Sequence, residues 1–310
     1  MIDTIYIIVN IFTKKEFMGK IKIITDSNAG FSKIEAETLG VFIVPMPIII
    51  DGEEYFESEN ITEDEFYRLL KGGADVKTSQ PSGFYLEELF GEVLKENDEA
   101  VYIPMSSGLS GTFETANGIA EKFGGRIFVV DNKRISLSQK ESVYEAVAMA
   151  KLGKSGKQIK ERLLERAALS SIYIMVNELK YLKKGGRISA AAALIGSAVK
   201  LKPILYTRGG KFEKQALALS LGQAKKIMTD KVAEELSGEF LKEREKGNMT
   251  VSVAHTGNTE EAQKFKEALL LRFPDVKFRF VDSLSLSVAC HIGEGSLAVC
   301  ICANEYLGQF

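Results

Sequence analysis

The chain has 310 residues, 45% of them hydrophobic and 26% charged, with a formal net charge of -2. That size predicts two domains. A near-neutral balance excludes a partner recruited by bulk electrostatics, so no nucleic acid and only transient membrane contact are expected. Cys290, Cys300, Cys302, His255 and His291 are the complete set of cysteines and histidines. Three cysteines cannot all pair and no C-x-x-C occurs, which fits a reducing, cytoplasmic setting, and no metal or cofactor is expected. Cys300 and Cys302 alternate onto one face of a strand and read as small buried apolar groups.

Residues 5–12 are an apolar run too short to span a bilayer, with no basic segment before it. Met18-Gly19-Lys20 then precedes a strand-like run, so Met18 is read as the functional start and residues 1–17 as an extension. Residues 21–25 and 41–50 read as strands around a short helix at 32–39, where Ser32 can cap. Asp51-Gly52 marks a tight turn. Thr62 followed by Glu65 opens a helix with a capping-box pattern, and Ser82 caps another over 85–96. A strand at 100–104 leads into Ser106-Ser107-Gly108-Leu109-Ser110-Gly111-Thr112 and a helix at 112–123. A strand at 126–130 and helices at 139–152 and 155–168 complete this half.

Beyond a strand at 172–176 come the basic turn Lys183-Lys184-Gly185-Gly186-Arg187, a small-residue helix at 190–199 and a strand at 203–207. Arg208-Gly209-Gly210-Lys211 is a hairpin turn. A long helix at 224–246, strands at 250–254, 277–281 and 298–302, and a helix at 260–273 follow. His255 ends one of these strands, where it has a structural explanation. Short strands alternating with helices predict an α/β fold of two α/β domains: a largely parallel N-terminal sheet flanked by helices (18–168) and a C-terminal mixed sheet with helices (169–310).

Two turns rich in hydroxyls carry the chemistry: Thr78-Ser79-Gln80-Pro81-Ser82, and the run from Ser106 to Thr112, which sits where a strand passes to a helix. Unpaired N–H groups at a helix start attract anions, and Ser and Thr add neutral donors. Neither turn contains Lys or Arg. The pattern suits a carboxylate or small oxyanion better than a triphosphate, and no P-loop or dinucleotide fingerprint is present. Ser82, Ser110, Gly111 and Thr112 are equally explained as caps and turn residues. Asp26 and Ser27 end the first strand, the usual place for cleft-lining residues in an open sheet.

These turns, with Ile24-Thr25-Asp26-Ser27, Leu182-Lys183-Lys184-Gly185-Gly186-Arg187-Ile188-Ser189, Lys202-Pro203-Ile204-Leu205 and His291-Ile292-Gly293, occur in the order found in the bacterial DegV family, which the chain resembles from Met18 onward. Members of that family are similar to FakB, the subunit of bacterial fatty acid kinase that holds a fatty acid between two α/β domains and presents its carboxylate to a separate kinase subunit of FakA type. The resemblance implies a non-catalytic binder of a long-chain fatty acid. It implies that Thr78, Ser79, Ser106, Ser107 and His291 grip the carboxylate, with Ser110, Gly111 and Thr112 as further contacts, and that Arg187 meets the kinase partner or the transferred phosphate.

Physical chemistry agrees with such a ligand. A carboxylate withdrawn from water needs several hydrogen bonds to stay ionised. About fifteen buried methylenes at roughly 0.8 kcal/mol each supply on the order of 12 kcal/mol before the costs of association. Ala191, Ala192, Ala193, Ile195 and Ala198 leave room for a lipid tunnel wall. Cys290 and Glu294 depart from the family pattern beside His291 and predict an altered carboxylate site. The rival reading is a serine-dependent lipid hydrolase using a serine of the 106–110 turn, but no G-x-S-x-G elbow is present.

Overall fold

The computed structural model describes residues 19–193 and 201–309. The extension at 1–17, the start at Met18, and the tunnel residues Ile195 and Ala198 lie outside the described residues. β1 (Ile21–Asp26) opens the first sheet. Ser32 caps α1 (Lys33–Leu39) in a full capping box with Glu35, and Gly40 ends it at φ 70°.

Residues 41–50 are two strands, not the single one expected. β2 (Phe42–Val44) runs parallel to β1, whereas β3 (Ile48–Ile50) pairs in a separate sheet. Pro45 and Pro47 explain the break, because each lacks the N–H a continuous ladder needs. Asp51 and Gly52 both have positive φ, 51° and 95°, and form the tight turn to β4 (Glu53–Tyr55). β5 (Val76–Thr78) pairs antiparallel with the other edge of β3, after α2 (Glu63–Lys71), whose N-cap is Thr62. This small sheet is absent from the expected layout, and Thr78 ends it.

Ser82 caps α3 (Gly83–Glu96), and β6 (Glu99–Ile103), α4 (Thr112–Ala120) and β7 (Ile127–Val129) follow. The sheet runs β2-β1-β6-β7, all parallel. α5 (Leu137–Lys151) and α6 (Gly156–Glu165) complete the first unit. The second unit is built on β8 (Ser170–Met175), β9 (Lys202–Thr207), β10 (Glu213–Ala218), β11 (Met249–His255), β12 (Lys277–Ser283) and β13 (Leu297–Ala303). Their order is β10-β9-β8-β13-β11-β12, antiparallel throughout except for β11 with β12. The chain is therefore two α/β units, one with a parallel and one with a mixed sheet.

The helices of the second unit are α7 (Lys180–Gly185), α8 (Ala190–Ala193), α9 (Leu221–Ser237), α10 (Leu241–Glu245), α11 (Thr259–Arg272) and α12 (Leu286–Ile292). Three differ from expectation. The basic segment at 183–185 is the end of a helix, with Gly186 at φ 68° closing it. The long helix expected at 224–246 breaks at Gly238, whose φ of -114° and ψ of -103° are non-helical. His291 lies on α12, a helix that the expected layout omits.

α5 joins the two units. It touches β1 and β6 on one side and β11 and β13 on the other, so most of its surface is buried. Three of its charged residues stand beside an opposite charge: Lys140 Nζ lies 2.8 Å from Asp282, Arg279 Nε 3.1 Å from Glu141, and Arg166 Nε 3.2 Å from Glu145. Burying such groups costs free energy unless each is paired, and pairing fixes how the units meet.

Candidate functional site

Thr78 at the end of β5 and His291 in the last turn of α12 meet across the two units. His291 Nε2 lies 2.9 Å from Thr78 Oγ1. The opposite face of the ring rests on Gly185, where a Cβ would stand 2.2 Å from Nδ1, so only glycine admits the imidazole here. Burial first, and the Arg187 guanidinium second, push His291 down to about 4, so the ring is neutral at pH 7.

Around this pair lies a cavity of about 300 Å³. Its polar wall is Thr78, Ser79, Gln80, Ser110, Gly111, Arg187 and His291, with Asn28 and Ser287 further along. The remainder is apolar: Met46, Met105, Leu109, Ile135, Phe212, Val288 and Ile292. A second void of about 20 Å³ shares Ile135, Phe212 and Val288 with the first and is otherwise walled by groups such as Ile172, Ile174, Ala298 and Cys300. The space thus has a hydrogen-bonding mouth and an apolar interior, the form that suits a ligand with a charged head and a hydrocarbon tail.

A model of the DegV family, described as an uncharacterised protein family, matches residues 20–304. The chain belongs to the DegV family. A DegV domain-containing protein of Clostridium perfringens is 32% identical over 289 residues, which is 91% of this chain and 97% of that one. Among solved structures, a DegV family protein from Thermus thermophilus described by its fatty acid binding has a TM-score of 0.82 and 27% identity, covering 92% of this chain and 99% of that one. A stearic acid-binding protein from Eubacterium ventriosum has a TM-score of 0.81 and 25% identity, covering 91% and 98%.

In this DegV chain, the residues expected at the carboxylate divide into two groups. Thr78, Ser79, Ser110, Gly111, Arg187 and His291 line the cavity. Ser106, Ser107 and Thr112 do not. Ser106 is buried and donates its hydroxyl to Gly209 O of the β9–β10 hairpin. Its loop sits so close that a Cβ on Gly108 would stand 2.3 Å from the same oxygen. Ser107 Oγ donates to Asp131 Oδ2 at 2.6 Å and accepts from Lys133 Nζ. Thr112 is buried and shares a 2.9 Å hydroxyl contact with Ser110.

The mouth also carries a charge that the hydroxyl turns alone do not supply. Arg187 points inward, its Nε donating to Leu109 O at 3.0 Å and its Nη1 to Gly185 O at 2.5 Å. Asp26, expected at the cleft, is fully buried and does not line it. It accepts from Met105 N at 2.8 Å and from Asn28 N and Nδ2, and burial raises its pKa above the ordinary carboxylate value. Asn28 is the wall residue instead, its Oδ1 accepting from Ser285 and Ser287 of the second unit.

Both departures from the family pattern turn away from the cavity. Cys290 packs with Ile48, Ile50, Phe66 and Leu286, and Glu294 pairs with Lys71 at 2.7 Å. Of the expected tunnel alanines, Ala192 joins the apolar cluster that contains Leu109, Ile135, Phe212 and Val288 without lining the cavity, and Ala191 is exposed. Cys300 and Cys302 are buried in that same cluster, and no group of metal-ligating side chains occurs among the described residues.

The hydrolase alternative finds no support. His291 contacts a threonine, and His255 Nδ1 accepts the Asn258 N–H at 3.2 Å. The serines at 106 and 107 are bound to Gly209, Asp131 and Lys133, and Ser110 to Thr112, so none of the three is hydrogen-bonded to a histidine base as nucleophilic catalysis needs. No helix among the described residues is long and apolar enough to cross a membrane.

Proposed function

We propose that this chain binds one long-chain fatty acid, with its carboxylate at Thr78, Ser79, His291 and Arg187 and its tail in the apolar interior. The observation that carries this reading is the cavity between the two units, where the Thr78–His291 pair and Arg187 share one space with Met46, Met105, Leu109, Ile135, Phe212, Val288 and Ile292. The fatty acid and stearic acid binding of the relatives from Thermus thermophilus and Eubacterium ventriosum supports it. Neutral hydroxyl and imidazole groups orient the head, while Arg187 offsets its charge. Ser110 and Gly111 add contacts at the start of α4. Ser106, Ser107 and Thr112 act one step back, holding the loop that presents them.

The finer reading is that the bound acid is handed, still in place, to a separate kinase subunit of FakA type. A carboxylate oxygen attacks the γ-phosphorus of ATP, the bond to the departing ADP oxygen breaks, and an acyl phosphate forms. Arg187, at the mouth and beside His291, is placed to meet the transferred phosphoryl group or the partner that brings it. The protein itself then supplies binding and orientation but no ATP site, in keeping with a sequence that has no phosphate-binding loop.

Native mass spectrometry of freshly purified protein, followed by lipid extraction, tests the first part. A fatty acid at near one-to-one occupancy is expected; purification and reconstitution that both yield no bound acid overturn it. Incubation of the loaded protein with ATP and a FakA-type subunit, with hydroxylamine to trap acyl phosphate as hydroxamate, tests the second. Loaded protein that gives no hydroxamate with an active kinase subunit removes the partner assignment.

A further inference from the structure

The apolar end of the cavity has a stepped form. A larger chamber of about 300 Å³ carries the polar mouth, and a void of about 20 Å³ lies beyond Ile135, Phe212 and Val288, which wall both. The void is closed by the sheet of the second unit: Ala298 and Cys300 on β13, Ile172 and Ile174 on β8, and Ala254 on β11. Strand register explains why these residues share one face. Ala298 sits opposite Ile174 and Ala254, and Cys300 opposite Ile172, so alternate residues of β13 point to the same side.

We infer that this inner void receives the terminal carbons of the acyl chain and that Ala298 and Cys300 gauge its length. The inference rests on the fatty-acid reading above and deepens it by naming what sets chain preference. A void of this size admits about one small group, a methyl or methylene, because about one probe sphere occupies it. Among the described residues that border it, Ser136 alone carries a hydroxyl and the others are apolar or a thiol, so it suits hydrocarbon and not water.

The residues are small where size matters. Ala254 and Ala298 are 3% exposed and Cys300 4%, each buried against a packed sheet that cannot retreat. Added carbon at these positions therefore has to occupy the void itself. Phe212 governs entry from the chamber. Its backbone is held on both sides, its N–H donating to Arg187 O at 2.8 Å and its O accepting from Ser189 N at 2.9 Å. The same two bonds tie the passage to the segment that carries the mouth arginine.

The test compares fatty acids extracted from the wild type, Ala298→Leu and Cys300→Ala, each purified from the same host and reloaded from an equimolar mixture of saturated acids of increasing length. Ala298→Leu is expected to move the preferred length down by roughly two carbons, since its added methyl groups fill a void of about one group. Cys300→Ala is expected to move it up or to broaden it, with stoichiometry retained in both. If both variants bind acid at wild-type stoichiometry with an unchanged length distribution, the gauge is overturned while the fatty-acid reading stands. If the wild type binds no acid from the mixture, the underlying reading fails instead. Should Ala298→Leu not fold, Cys300→Ala decides alone, because removing one sulfur atom from a packed strand is tolerated and its predicted direction is the opposite one.

Discussion

His291 and Thr78 stand 213 positions apart and meet at 2.9 Å, one from the last turn of α12 and the other from the end of β5. Each belongs to a different unit, so the carboxylate site proposed above is complete only when the two units are correctly seated. Under that proposal, removing either partner, as Thr78→Val or His291→Ala, deletes a hydrogen bond to the carboxylate and leaves its neighbour unpaired. Fatty acid affinity is expected to fall roughly ten- to hundredfold. Fluorescent fatty acid displacement measures this, and a change below about twofold for both variants sinks the carboxylate assignment.

The imidazole gives a pH signature. His291 is held down at about 4 against an ordinary value of 6.5. Between those two values the unfolded chain binds more protons at this site than the folded one does. This site's contribution is therefore complete above pH 6.5 and lost as pH falls toward 4, by at most about 3 kcal/mol. Urea titrations at pH 5 and 7.5 should show the wild type losing more stability on acidification than His291→Gln. Equal losses contradict a neutral buried ring.

Gly185 offers an independent handle on the same geometry. Its absent Cβ would lie 2.2 Å from His291 Nδ1 and 2.9 Å from Cε1, atoms of a rigid ring in a partly buried site. Gly185→Ala keeps a helical backbone but must displace the imidazole from Thr78. Binding is expected to weaken about as much as in His291→Ala, with a loss of stability of roughly 1–3 kcal/mol. Full affinity in a folded Gly185→Ala protein means that the ring position is not what binds.

Much of this architecture is legible in the sequence, for identifiable reasons. Ser32, Thr62, Ser82 and Ser155 cap helices through local side-chain contacts, which spacing alone encodes. Turns that meet only by tertiary contact are harder to read. Ser106 and Ser107 have the composition of anion ligands, yet their hydroxyls are taken by Gly209 and Asp131, partners brought close by folding. Asn28 and Phe212 carry no motif that marks a cavity wall. α12 is short, and its buried run resembles a strand until His291 has to reach Thr78. Arg187 follows glycines in a basic segment, the composition of a solvated turn, and only the fold turns it inward.

Glu294 beside the His291 helix raised the expectation of a weakened anion site, and its observed position predicts otherwise. Its carboxylate pairs with Lys71 at 2.7 Å, and Lys71 is largely exposed. Exposed pairs contribute roughly 0 to 1 kcal/mol, and this one borders a different depression from the ligand cavity. Glu294→Gln should leave fatty acid affinity within about twofold of wild type and stability within about 1 kcal/mol. A large gain in affinity on removing the charge means that Glu294 turns inward when the ligand is present.

The buried ion pairs around α5 make the seam between the units sensitive to charge removal. Arg166 and Glu145 lie 3.2 Å apart with side chains 5% and 0% exposed, and Arg166 also reaches Glu243 at 3.3 Å. Burial raises Glu145 to about 7 even with Arg134 and Arg166 nearby. Arg166→Met retains most of the side-chain bulk but leaves Glu145 buried without its one partner at ion-pair distance among the described residues, an arrangement that costs about 3–5 kcal/mol. A carboxyl whose folded pKa is raised from 4.5 binds more protons folded than unfolded, so its contribution falls as pH rises from about 4.5 to 7. The variant's deficit should therefore be larger at pH 8 than at pH 5, where Glu145 takes up a proton. The double variant Arg166→Met with Glu145→Gln should recover part of the loss at pH 8. Denaturant midpoints at the two pH values check both effects, and a deficit that is small, or the same at both, removes the pair as a determinant of how the units are joined.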